Sequence, residues 1–530
     1  MIIAIAYVVL FLTLAALVTE LRRDLMMFQQ NSYRIDRYRR WLGESGDTTS
    51  VWRLIGLVVF FIALSSLSKP VVSLALIGIF AASRWLTLAR VKYKKPLVWT
   101  ARAKRIYTVC AIVSVGICVA ALFIFGRETQ LARLYSATVA ALGCYCGSHL
   151  VIAVASLILS PVEKAINRRY YNDAARRLAD MPDLKIVGIT GSYGKTSTKH
   201  YLYRILSEKF DTLMTPGSYN TTLGVIRTVR EYLKPYNEVF IVEMGAKSVG
   251  DIKEICDLVH PQIGIITAVG PQHLESFKTI ENVQATKFEL ADALPADGIA
   301  VVNNDFEKIA DRKVDNTRCM RYGVRDDKAA YRATDVVYTS AGTTFTVTGP
   351  DGWSLPVATR LMGECNVSDL LAAIVTAHAM GVSDSAVRSA VASIEPVEHR
   401  LSVKTTPSGI TILDDAFNSN PVGSRMALEV LGTFKGGKRI VITPGMIELG
   451  TRQYELNREL GKTISRHTDI AIIVGRYNRD ALVEGIRSGN YPSDALHTVD
   501  TFAEAQQILA GVAAKGDTVL YENDLPDTFK

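Results

Sequence analysis

The sequence predicts an α-helical membrane region followed by two α/β domains. The central one is a P-loop domain with a mostly parallel sheet, and the smaller C-terminal one is Rossmann-like. Three observations predict this. Long apolar runs alternate with short basic loops up to about Leu159. Beyond Pro161 the apolar runs shrink to strand length and alternate with periodic helices. Between them and the rest, "KIVGITGSYGKTSTKHYL" at Lys185 to Leu202 reads as buried strand, glycine-bearing loop and helix start. The expected division is 1–160 for the membrane region, 161–183 for a basic linker, 184–398 for the central domain and 399–530 for the C-terminal domain.

Crossing the hydrocarbon core takes about 20 apolar residues. Ile106 to Gly126 and Leu134 to Leu159 are long enough, and Met1 to Val18 nearly so. Leu54 to Trp85 is broken at Ser68 to Pro70, which gives two short helices with a tight turn or one re-entrant hairpin. Counted as two, the total is about five crossings. Arginines and lysines cluster after the first run (Arg22 to Arg40), after the broken tract (Arg90 to Arg105) and after the last run (Lys164 to Arg177). The positive-inside rule then places these segments, and the α/β domains behind them, in the cytoplasm of a multi-pass bacterial inner-membrane protein. His149 lies within the last run, where an ionisable group is a candidate functional site or a helix-packing residue.

The net charge of +8 over 530 residues sits largely in these flanking loops, so it does not point to nucleic acid. The seven cysteines include no CxxC, which argues against a zinc site and suits a reducing compartment.

The loop of Gly191, Ser192, Tyr193, Gly194, Lys195, Thr196 and Ser197 presents backbone N–H groups at a helix N-terminus, where anions are favoured. Lys195 is placed to reach terminal phosphates, and Thr196 to ligate Mg²⁺. A strict Walker motif fails by one position, because Ile189 stands where glycine is required. "EVFIVEMGA" is a second strand ending at Glu243, a carboxylate suited to Mg²⁺. "IGIITAVGPQHLESF" is a third, with His273 in its loop, and "NVQATKFELADAL" is a helix carrying Lys287.

The order TGSYGKTS, SYNTTLG, EMGA, GPQHLESF, ATKFE resembles the central domain of the Mur ligases, whose own loop is TGxxGKT. The resemblance continues through GECNVSDLLAA (Gly363 to Ala373), HRL (His399 to Leu401), LDDAFNSNP (Leu413 to Pro421) and PGMIELG (Pro444 to Gly450). It covers about Leu184 to Asp517 and is nearest the branch that joins D-alanyl-D-alanine to a UDP-N-acetylmuramoyl tripeptide.

The resemblance implies an ATP-dependent, ADP-forming ligase of cell-wall precursor synthesis. A peptide carboxylate attacks the γ-phosphate to give an acyl phosphate, and an amino acid or dipeptide amine then displaces phosphate. By position it implies Lys195, His273 and Lys287 as catalytic residues, with Lys287 carried as a carbamate. It implies Thr196, Glu243 and His273 as ligands of Mg²⁺, two ions in all. Asn366, Arg400 and Asp415 join the loop in holding ATP, and Asn220, Thr221, Asn418 and Asn420 face substrate. Partners are a UDP-linked or lipid-linked peptide precursor, the incoming amine and membrane lipid.

The departures from the family pattern are specific. Cys365 replaces a histidine and Asp369 an asparagine of HNxxN, Gly445 stands where the branch has aspartate, and Glu522 stands where a lysine is expected. The membrane helices occupy the place of the family's UDP-sugar-binding domain. Two alternatives remain: a ligase for a poly-amino-acid or folate-like acceptor, and a membrane transport or signalling P-loop NTPase. The second leaves GPQHLESF, Lys287 and LDDAFNSNP unexplained.

Overall fold

The computed structural model describes residues 1–66, 70–91, 93, 95–124, 129–339, 342–417 and 419–524. Ser68 and Lys69 of the expected turn, and Asn418, lie outside the described residues. The chain divides into two compact units, Met1–Arg168 and Arg169–Asp524.

The first unit is helical: α1 Ile2–Gln30, α2 Ile35–Glu44, α3 Val51–Ser65, α4 Pro70–Arg90, α5 Ala101–Ile124, α6 Gln130–Cys146 and the first part of α7 Ser148–Ala179. Among the described residues α1, α4, α5 and α7 are long and apolar enough to cross a membrane, while α3 has only 15 residues. The run Leu134 to Leu159, expected as one element, is divided at Gly147 into α6 and α7. The expected basic linker is largely helix, since α7 continues past Pro161 to Ala179.

This unit is apolar outside and polar inside. Phe11, Val72, Ile79, Ile112 and Phe123 are exposed, as side chains facing lipid would be. Glu20, Asp24 and Arg53 are buried. The Arg53 guanidinium donates to both Asp24 oxygens at 2.9 and 3.0 Å, to Asp47 at 3.3 Å and to Ser148 Oγ at 3.1 Å. Arg84 donates to Glu20 at 2.8 and 3.1 Å, Ser148 Oγ donates to Asp24 at 2.5 Å, and Arg23 closes the cluster on Asp47. His149 lies at its edge, 3.5 Å from Arg53.

The second unit holds two sheets. The nine-stranded sheet comprises β1 Lys185–Thr190, β2 Thr212–Met214, β3 Val239–Glu243, β4 Ile263–Ile266, β5 Ile299–Asn303, β6 Arg318–Gly323, β7 Tyr331–Thr339, β8 Gly342–Thr348 and β9 Ser354–Thr359. Its order is β2-β3-β1-β4-β5-β6-β7-β8-β9. Pairs from β2 to β7 are parallel, and β7, β8 and β9 form the antiparallel patch that alternating residues and the Gly-Pro-Asp-Gly turn predict. Val187, Ile189, Ile241 and Ile265 are fully buried, as parallel strands covered on both faces require.

The six-stranded sheet comprises β10 Ser402–Thr405, β11 Thr411–Asp415, β12 Arg439–Thr443, β13 Ile470–Val474, β14 Leu496–Val499 and β15 Thr518–Glu522, in the order β10-β11-β15-β12-β13-β14. Only the β10–β11 pair is antiparallel. The two edge strands, β10 and β14, have four residues each and no apolar run to announce them.

Candidate active site

Strand order positions the site. β1 lies between β3 and β4, with Ile189 in register with Glu243 and Thr190 with Ile266. The loops after β1, β3 and β4 therefore open side by side at the carboxyl ends of parallel strands, where open α/β sheets bind ligands.

The loop after β1 needs its glycines. Gly194 has φ +78°, and a Cβ there would fall 2.1 Å from Asp369 Oδ1. The Lys195 ammonium curls back over the loop and donates to Gly191 O at 2.6 Å. Ser192 Oγ donates to Gly270 O at 3.1 Å, and Tyr193 OH to Pro271 O at 3.2 Å, which ties this loop to the one after β4. Ser197 is buried in the first turn of the helix Lys195–Leu206.

Glu243 is 1% exposed. Its Oε1 accepts from Thr196 Oγ1 at 3.3 Å and Asn220 Nδ2 at 3.1 Å, and Lys199 Nζ lies 3.0 Å from Oε2. Burial pushes this carboxyl up, but Lys199 and Lys195 outweigh that and hold it below the usual range. Lys199 was not anticipated, because an uninterrupted helical pattern gives no sign that one of its lysines turns inward.

Desolvation lowers Lys195 to about 8, and Arg400 adds to the shift. Lys287 is 2% exposed on the helix Ile280–Asp292, and desolvation, then repulsion from Lys195, lowers it to about 7. A lysine so placed is poised to lose its proton rather than remain a solvated charge. His273 has φ +52°, and its Nδ1 is bonded to Glu448 of the C-terminal domain. Burial lowers His273, while Glu448 opposes the shift.

A cavity of about 670 Å³ opens beside the loop helix, lined by Thr196, His200, Arg204, Ser218, Arg400 and Phe417 among others. Its size suits a nucleotide-sized ligand. The Arg400 guanidinium lies 4.4 Å from the Phe417 ring centre. Desolvation, then repulsion from Lys199, lowers His200 to about 4, so its imidazole is uncharged at neutral pH.

Other anticipated residues are occupied by the protein itself. Asn366 accepts from Tyr201 OH at 2.7 Å and donates to Met362 O at 2.8 Å. Thr221 and Asn420 cap the helices Thr222–Glu231 and Pro421–Thr433 through Gly224 N and Gly423 N. Asp415 accepts from Leu401 N at 3.1 Å and lies in register with Glu522 on β15. Burial raises both carboxyls, and mutual repulsion adds to the rise at Glu522. Glu522 accepts from Ser419 Oγ at 2.5 Å. At Gly445, φ is +78° and a Cβ would fall 2.5 Å from Asn457 Oδ1, which leaves no room for the branch's aspartate in this backbone.

Among the described residues no group of three His, Cys, Asp or Glu side chains is assembled for a metal. The donor set still fits Mg²⁺. A carboxylate beside a hydroxyl offers hard oxygens, and Mg²⁺ commonly completes its shell with waters and phosphate oxygens.

Comparison with known proteins agrees with this geometry. Residues 189–377 match the Mur ligase middle domain, and residues 399–521 match the Mur ligase glutamate ligase domain. A UDP-N-acetylmuramoyl-tripeptide–D-alanyl-D-alanine ligase of Bacillus subtilis is 27% identical over 344 residues, 64% of this chain and 72% of that one. The Escherichia coli ligase of the same name is 30% identical over 302 residues, 56% of this chain and 65% of that one. A crystal structure of MurF from Acinetobacter baumannii superposes with a TM-score of 0.61 at 25% identity, covering 67% of this chain and 77% of that one. With the loop, Glu243 and both sheets in place, the chain belongs to the Mur ligase family of ATP-dependent, ADP-forming acid–amino-acid ligases.

Proposed function

We propose that this protein joins an amino acid or dipeptide, with D-alanyl-D-alanine as the first candidate, to the peptide carboxylate of a cell-wall precursor. The observation that carries the reading is the convergence of Lys195, Thr196 and Glu243 at the ends of β1 and β3, within a chain similar to ligases that bear that name.

The chemistry brings anions together, so its barrier is electrostatic. Lys195 and Arg400 supply positive charge around the place where terminal phosphates would lie. Glu243 and Thr196 would hold Mg²⁺, which when bound offsets phosphate charge as the acyl phosphate forms. Lys287, with its lowered proton affinity, offers the neutral amine that CO₂ requires to form a carbamate. The cavity beside Arg400 and Phe417 would take the nucleotide.

We further propose that the first unit spans the membrane and that the ligase domains face the cytoplasm. The buried ionic cluster supports this, since its charges are screened from lipid by apolar helix faces. A precursor already attached to lipid is then a second acceptor class beside the UDP-linked one. The test is phosphate release by the full-length protein with ATP, D-alanyl-D-alanine, and either a UDP-linked or a lipid-linked tripeptide. Release that needs both acceptor and amine supports the reading, and the preferred acceptor names the class.

A further inference from the structure

We propose that Glu448 is a positioning residue that lets the docked C-terminal domain set the metal site of the central domain. The inference rests on the reading of Glu243, Thr196 and His273 as the metal-binding surroundings. Glu448 belongs to the loop after β12, in the stretch PGMIELG, to which the sequence assigned no role. Its carboxylate bonds His273 Nδ1 in the loop after β4, and its other oxygen lies 3.3 Å from Lys247 Nζ in the loop after β3. One carboxylate from the C-terminal domain thus gathers the loop that carries His273 and the loop that follows Glu243. Its backbone carbonyl also accepts from Glu275 N at 3.4 Å, so main chain and side chain dock together.

The direction of the bond sets the role. An ionised carboxylate only accepts, so Nδ1 carries the hydrogen and Nε2 presents its lone pair. Ligating histidines are commonly oriented this way by a carboxylate on the second nitrogen. Both partners hold a left-handed backbone that non-glycine residues seldom adopt, with φ +62° at Glu448 and +52° at His273. Such geometry persists where the surroundings enforce it, and it clusters at functional sites. Without the C-terminal domain docked, His273 loses the group that fixes its ring.

The test uses full-length protein in detergent with ADP, and Mn²⁺ as the probe, its free fraction read by electron paramagnetic resonance. Glu448→Gln keeps the shape of the side chain and removes its charge. It should weaken Mn²⁺ binding about 10-fold or more, with ADP affinity in EDTA unchanged. In a His273→Ala background the same change should add less than about twofold, because the two residues act as one unit. Mn²⁺ affinity within about twofold of wild type for Glu448→Gln, when His273→Ala alone weakens it, would overturn the inference and leave the metal reading standing. An unaltered affinity in His273→Ala would overturn both. Equal, additive losses in both backgrounds would show that Glu448 does not act through His273.

Discussion

The helical N-terminal unit and the ligase site both bury charge, but they balance it differently. In the helical unit, Glu20, Asp24 and Asp47 face Arg23, Arg53 and Arg84 at hydrogen-bond distance. The cluster is complete in itself. At the phosphate loop, Lys195, Lys199 and Arg400 surround one ionised carboxylate, Glu243, and Lys287 is buried nearby. Asp369 does not restore the balance, because burial raises it well above the usual carboxylate range and favours its protonated form, and Asp415, raised to about 6, offsets only one of these charges. A self-neutral cluster needs no ligand. A positive surplus held out of water is costly unless an anion completes it, which fits a site for a polyphosphate.

Arg53 is where the self-neutral cluster is most vulnerable. Removing one partner from a buried ion pair leaves the other uncompensated and typically costs about 3–5 kcal/mol. Arg53→Met should therefore destabilise the helical unit by about that much in a detergent unfolding titration. Adding Asp24→Asn should recover part of the loss. A single substitution costing below about 1 kcal/mol would mean the cluster is open to water rather than sealed.

At the ligase site the same kind of change should alter rate more than stability. Lys195→Ala should reduce ATP-dependent phosphate release about 10²-fold or more, with little change in the unfolding midpoint. Lys287→Ala should be nearly inactive, and small carboxylic acids at high concentration should partly restore it by supplying the missing negative group. Lys287→Arg should not be active, since arginine keeps its charge and forms no carbamate. Near-normal turnover in both Lys287 variants would reduce that residue to a packing role.

A weaker effect is expected in the C-terminal domain. Glu522 titrates near 4.5 when unfolded and is raised to about 8 by burial and by Asp415. The folded protein then holds a proton that the unfolded chain has already lost across that window. Its stability should fall as pH rises from about 5 to 8. Glu522→Gln removes this titration and should flatten the slope, a difference of roughly a few °C in midpoint between pH 6 and 9. Parallel slopes for both proteins would show that the pair does not share a proton.

How far each feature was legible follows from how locally it is written. The loop after β1 could be read because strand, glycines and helix start lie in one continuous stretch. The central strands could be read because parallel strands buried on both faces are uninterrupted apolar runs. The pairing of Glu448 with His273 joins residues far apart in sequence, and neither position alone is unusual. The ionic cluster of the helical unit escapes sequence reading for the same reason. Glu20, Arg53, Arg84 and Ser148 come from four different helices, and each looks like a stray polar residue in an apolar run. Asn366, Thr221 and Asn420 carried expected ligand roles through motif position, whereas their side chains satisfy local backbone or neighbouring groups here.

The central claim is that ATP cleavage here is spent on forming an amide. The most direct measurement follows phosphate release and product mass together in full-length protein, with acceptor tripeptide and D-alanyl-D-alanine each supplied or withheld. A ligase should release phosphate only when both are present, form one new amide per phosphate, and lose both signals in Lys195→Ala. Steady phosphate release without acceptor or amine, and no mass change when both are added, would contradict it in favour of a membrane NTPase.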